Sequence, residues 1–116
     1  MMPDTTPLRD PLTTPEGFVA LYRRDADLVL RFCTRQVLEA EAGVDLCAET
    51  FAQAFRGRRG FRGTTEAEAR AWLLTIARRQ VARYLKKGAL DRRAVVRAAG
   101  AGRPDRSRRT SRRARS

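Results

Sequence analysis

Six basic side chains punctuate residues 70 to 87: Arg70, Arg78, Arg79, Arg83, Lys86 and Lys87. Cations spaced three and four apart share a helix face, and Arg79, Arg83 and Lys86 do so here, a pattern suited to holding phosphates. Between them stand Trp72, Leu73, Ile76, Ala77, Val81, Tyr84 and Leu85, at the spacing that sets one side of a helix against a core. The stretch AWLLTIARRQVARYLKK therefore predicts a helix with an apolar side and a cationic side. Such a helix either lies on anionic lipid or packs on its own domain while offering Arg and Lys to nucleic acid.

Two further clusters bear on that choice. Arg58, Arg59, Gly60, Phe61, Arg62 and Gly63 combine flexible backbone, three cations and a ring, the ingredients of a groove for single-stranded nucleic acid. Phe61 has two readings, a ring tucked into the core or a platform for a base. Upstream, Glu39, Glu41, Asp45 and Glu49 fall within eleven residues of an otherwise basic chain. They serve helix dipoles and solubility, or form a docking face for a basic partner.

Composition removes other chemistries. No histidine is present, so His-based triads and Cys/His zinc sites are excluded. No nucleophile–base constellation or phosphate loop suggests an enzyme, and no cofactor is expected. Cys33 and Cys47 sit within helical patterns and read as reduced, buried small hydrophobes. The formal charge of +12 is uneven, with +8 in residues 89 to 116 and +4 before them. That balance points to nucleic acid or an anionic surface as partner. The N-terminus lacks an apolar core of signal-peptide length and no run of about 18 apolar residues exists, so a cytoplasmic protein without a membrane partner is expected.

The elements that must position these residues are helices, with no strand pattern and no repeat. Residues 1–13, rich in proline, read as a disordered arm. Thr14 and Pro15 open a first helix as N-cap and first-turn proline, with Phe18, Leu21, Tyr22, Leu28, Val29, Phe32 and Gln36 or Val37 on its apolar stripe to about Leu38. Asp25 interrupts the stripe and is expected to be solvated. Gly43 is the expected break before a second helix that starts near Asp45, carries Leu46, Cys47, Thr50, Phe51, Ala54 and Phe55, and ends at Arg56-Gly57. Thr65 and Glu68 form a capping box for the third helix, with Gly88 as its stop. Residues 94–116, dense in Arg, Ser and Gly, read as a disordered tail able to bind DNA non-specifically.

In order along the chain, FVALYRRDADLVLRFC, DLCAETFAQAF, GFRG and AWLLTIARRQVARYLKK resemble region 2 of bacterial RNA polymerase sigma factors of the sigma-70 family, extracytoplasmic-function type. The resemblance covers about residues 16 to 93, and Trp72 to Arg78 is its most diagnostic piece. It implies an all-α fold, a three- to four-helix bundle over residues 14–93. It also implies a role in transcription initiation. Asp45, Glu49 and Phe51 match the helix that binds the clamp helices of the largest subunit of core RNA polymerase. Arg59, Phe61 and Arg62 match the loop that engages the promoter minus-ten element, where a base of the non-template strand is flipped out. Arg78, Arg79, Arg83, Lys86 and Lys87 become the expected DNA contacts of the recognition and melting helix, with Trp72, Leu73 and Ile76 structural.

Three positions depart from the family pattern. Ala48 stands where glutamine is common, a loss of roughly 1 kcal/mol if that hydrogen bond contributes to docking. Arg79 replaces a common asparagine and Arg83 a common aspartate, exchanging base readout for phosphate attraction. Nothing after Gly88 has the pattern of region 4, the domain that reads the minus-thirty-five element. Two readings therefore stand. One is a sigma factor, or its region 2 alone, that opens promoters. The other is a binding module without initiation activity, occupying polymerase or an anti-sigma factor as a decoy, or binding DNA non-specifically.

Overall fold

The computed structural model describes residues 5–102. Three helices follow in order, α1 (Pro15–Val37), α2 (Ala40–Arg56) and α3 (Glu66–Gly102), with a 3-10 turn at Arg58–Gly60. The chain divides into a unit ending at Tyr84 and a second beginning at Leu85, each described by itself. Among the described residues no strand forms, as the all-α expectation requires.

Helix α1 starts as its sequence predicts. Thr14 is extended and its Oγ1 accepts from the Gly17 N–H at 3.0 Å, satisfying one of the orphan donors of the first turn. One face buries Leu21, Val29 and Cys33. Tyr22, expected on that stripe, is half exposed and lays its ring on Phe51 of α2, centroids 4.9 Å apart. Asp25 is the larger correction. It is 1% exposed rather than solvated, because α3 brings Arg70 against it.

The α1–α2 turn is tighter than the sequence suggests. Gly43 lies inside α2, and the chain reverses instead at Leu38, a non-glycine residue in the left-handed region with φ of 57°. Gly43 serves contact rather than turning. A Cβ on it would come within 2.8 Å of the Thr34 Cα, so its absence lets α2 cross close to α1. From α2, Leu46, Phe51 and Ala54 then enter the core, and Thr50 is buried with its hydroxyl donating to the Leu46 carbonyl at 2.7 Å.

Residues 5–13 are not the disordered arm expected of them. Leu12 is 3% exposed in the core and Leu8 packs against it. The Leu8 N–H donates to Thr64 O at 2.9 Å and the Glu66 N–H to Thr6 O at 2.8 Å, so the segment pairs with the entry to α3. Pro7 and Pro11 reduce the entropy lost on ordering, and two buried leucines offset the rest. Residues 1–4 lie outside the described residues.

In the first unit α3 contributes Ala69, Leu73, Ala77 and Val81 to the core, the predicted face. Tyr84 and Leu85 are exposed instead. Gly88 does not stop the helix, which runs on to Gly102. Its cost of about 1 kcal/mol relative to alanine is carried by strong helix formers on both sides, among them Lys87, Ala89 and Leu90. The second unit adds a Lys87–Asp91 pair at 3.4 Å, one turn apart. The expected tail thus begins as helix through residue 102, and residues 103–116 lie outside the described residues. Among those described, no helix is long and apolar enough to cross a membrane.

Candidate functional site

The loop before α3 is held at both ends. Arg58 stacks its guanidinium 3.8 Å from the centre of the Phe55 ring and donates to the Phe55 carbonyl at 2.6 Å. At the other end the predicted capping box forms. Glu68 Oε1 accepts from the Thr64 N–H at 2.7 Å and the Thr65 N–H at 3.1 Å, while the Glu68 N–H donates to Thr65 Oγ1. Those backbone donors hold the Glu68 carboxyl below its ordinary pKa. Between the two anchors Arg59 and Arg62 project into solvent. Phe61 is half-buried against Trp72, ring centroids 5.1 Å apart, so of its two readings the packed one describes its position.

Helix α3 distributes its cations over more than one direction. Arg78 lies toward α1, with its guanidinium 6.0 Å from the centre of the Phe32 ring. Arg79 and Arg83 line a recess of about 250 Å³ against α2. Trp72, Ile76 and Gln80 of α3 and Gln53 and Gly57 of α2 complete its walls. Phe61, Trp72, Arg79 and Arg83 are therefore neighbours, while Arg78 is on the other side. Lys86 and Lys87 belong to the second unit, where both are exposed.

The acidic residues of α2 face away from the core. Asp45 is exposed beside Glu41 and Val44. Glu49 is exposed too, and its Oε2 is met by Arg56 at 3.1 Å and the Gln53 amide at 3.2 Å. Glu39, just before α2, accepts from the Tyr84 hydroxyl at 3.0 Å, a bond that raises the Tyr84 pKa. Phe51, expected alongside Asp45 and Glu49, is instead 7% exposed and packs on Tyr22. It belongs to the core rather than to the exposed acidic surface.

Two residues of this architecture escaped the sequence reading. Arg70 was grouped with the cationic side but serves the α1–α3 contact through Asp25. Gln80 is buried and lines the recess. Its signal was present as a polar residue on the strip Trp72, Ile76, Gln80, one turn apart each time. The cysteines behave as small hydrophobes, both as free thiols. Burial pushes the Cys33 pKa up to about 11 and that of Cys47 in the same direction.

The arrangement offers cations, a flat ring and an amide on one side of the first unit and carboxylates on the exposed side of α2. That pairing of surfaces suits simultaneous contact with a polyanion and a basic protein. Neither the curated proteins nor the solved structures compared with the chain include a match. The profile of sigma-70 region 2 does match, over residues 21–90, well over half of the sequence. The chain belongs to the sigma-70 family of sigma factors and carries its region 2.

Proposed function

We propose that this chain acts in transcription initiation as region 2 of a sigma factor of the extracytoplasmic-function type, docking on core RNA polymerase and engaging the promoter minus-ten element. Asp45 and Glu49 meet the clamp helices of the largest subunit, while Phe51 packs in the core of the bundle. Arg59 and Arg62 of the loop, carried by the packed Phe61, and Arg78, Arg79, Arg83, Lys86 and Lys87 of α3 hold the DNA. Family membership supports polymerase binding and promoter recognition as the role of this domain. The observation that carries the residue assignment is that Asp45 and Glu49 are exposed on α2 and neither lines the recess that Arg79 and Arg83 line. Melting is favoured wherever a protein binds one separated strand better than the duplex, and exposed cations beside half-buried rings do so.

Co-purification of the intact chain with bacterial core polymerase tests the docking face. The wild type is expected to be retained and Asp45→Arg/Glu49→Arg to be lost, with DNA affinity equal or higher in the variant. Loss of DNA binding with polymerase binding intact would refute the assignment. A promoter-directed transcription assay then separates initiation from mere binding. A defined start site marks an initiation factor, and retention without one marks a decoy-like binding module.

A further inference from the structure

We infer that residues 6–12 are a positioning strap for the arginine loop, whose pairing with the entry to α3 holds Arg59 and Arg62 ready for a nucleic acid strand. This rests on the DNA-binding reading above and adds to it residues that touch no DNA themselves.

The exit of the loop is the starting observation. The Thr64 and Thr65 N–H groups both donate to Glu68 Oε1, and the Thr65 carbonyl accepts from the Ala69 N–H. The Thr64 carbonyl and the Glu66 N–H are taken by the strap, through the Leu8 N–H at 2.9 Å and the Thr6 carbonyl at 2.8 Å. Every backbone polar group from the Thr64 N–H to the Glu66 N–H is thus paired. Glu66 is the first residue of α3, and the opening N–H groups of a helix find no partner within it. The Thr6 carbonyl therefore does for Glu66 what a capping side chain does elsewhere. Thr64 stands two residues after Arg62, and Gly63 between them folds so tightly that a Cβ on it would come within 2.8 Å of Glu68 Cβ. Movement at Thr64 is passed directly to Arg62.

The strap is itself anchored on the bundle. Leu12 is 3% exposed in the core, and Leu8 packs against that core. The Pro11 carbonyl lies so close to Gly17, in the first turn of α1, that a side chain there would collide with it. The Glu66 carboxylate also reaches Arg24 of α1 at 3.5 Å. By contrast Arg59, Gly60 and Arg62 are exposed. Cations on a loose loop lose conformational freedom when they bind, and a loop held beforehand loses less. Burial explains Leu12, whereas the pairing made by residues 6–8 falls on the exit of the loop.

The two hydrogen bonds can be removed one at a time in the full chain. Leu8→Pro and Glu66→Pro each delete the donor, while Leu8→Ala and Glu66→Ala delete the side chain and keep the N–H. Proline suits the first position of a helix, so Glu66→Pro leaves α3 intact. Affinity for a labelled single strand is read by anisotropy well below the unfolding midpoint of each variant, where bundle stability does not enter. Each proline is expected to weaken binding about threefold or more relative to its alanine, and the two together about tenfold. The slope of log affinity against log salt should stay constant, because no phosphate contact is lost. Hydrogen exchange of the amides of residues 59–65 should accelerate in the proline variants, with polymerase retention unaltered. Helicity is checked first, and either proline–alanine pair that folds decides.

Equal affinity in proline and alanine variants would overturn the inference and leave the strap as a stabiliser of the bundle alone. A salt slope that falls along with the affinity would overturn it too, since the strap would then be altering the phosphate contacts themselves. Proline variants that match a wild type able to bind the strand would remove the strap and keep the proposed function. A wild type that binds no strand would remove the DNA reading, and the positioning role would fall with it.

Discussion

Arg70 Nε donates to Asp25 Oδ1 at 3.0 Å, joining the middle of α1 to the first turns of α3 around a carboxylate that is 1% exposed. Arg24 adds a second cation, 3.4 Å from Asp25 Oδ2 without hydrogen-bond geometry, and reaches Glu66 at 3.5 Å. Removing the cation from a buried pair strands a charge, whereas removing the acid leaves Arg70, which is partly exposed, and Arg24, which keeps Glu66 as a partner. Arg70→Ala is therefore expected to cost about 3 kcal/mol and Asp25→Ala less. Urea titrations of both singles and the double should show a coupling above about 1 kcal/mol. Additive effects would reduce the pair to a packing contact.

The left-handed Leu38 gives a prediction of opposite sign. A side chain in that conformation costs roughly 1 kcal/mol, and Leu38, 88% exposed, recovers little of it by burial. Leu38→Gly should raise stability by about 0.5 kcal/mol once the added freedom of the unfolded chain is counted. Gly43→Ala should instead lower it by about 1 to 3 kcal/mol, because the methyl group meets Thr34 backbone at the helix crossing. Thermal unfolding of the two variants should move the midpoint in opposite directions.

These two residues show where the sequence could and could not be read. Local rules were legible: the Thr14 cap, the Thr65–Glu68 box and the Leu73–Ala77–Val81 face all depend on neighbours within one or two turns. Gly43 looked like a break because glycine both turns chains and admits close neighbours, and only the position of Thr34 decides between those uses. Asp25 looked solvated because its partner is 45 residues away. The recess was illegible for the same reason. Gln80 and Gln53 are unremarkable until two helices are laid side by side, whereas the exposed acids and arginines announced themselves by charge.

The N-terminal segment supplies a third test. Leu12 is buried as deeply as helix residues, and the Thr6–Leu8 backbone pairs with Thr64 and Glu66 at the start of α3. Leu12→Ala should cost about 2 to 4 kcal/mol, the range for a core leucine. Hydrogen exchange of the Leu8 and Glu66 amides should accelerate together in that variant. A cost below about 0.5 kcal/mol would return the segment to the status of an arm.

Cys33 links burial to reactivity. Its thiol ionises only near pH 11 in the folded chain, because burial disfavours the thiolate, while the unfolded chain ionises near 9.0. A folded pKa above the unfolded one means that stability is intact below pH 9 and falls as pH rises through that window, where the unfolded state alone loses the proton. At pH 8, alkylation of Cys33 should follow global unfolding and rise with urea. Rapid labelling of the native protein would contradict the buried thiol.

Arg79 and Arg83 carry the electrostatic prediction. Each arginine that neutralises a phosphate of a single strand releases counterions, contributing about 0.7 to the slope of log affinity against log salt. Arg79→Ala/Arg83→Ala should therefore flatten that slope by about 1.4 for single-stranded DNA. Arg78→Ala, on the side facing Phe32, tests whether that direction also touches the strand. A drop of about 0.7 would extend the DNA path around α3, and no change would confine it to the α2 side. Since neither Asp45 nor Glu49 lines the recess, polymerase retention should be unaltered in the double variant. If the slope stayed constant while polymerase binding was lost, the surfaces would have to be exchanged, with α3 as the protein contact and the DNA held by other cations.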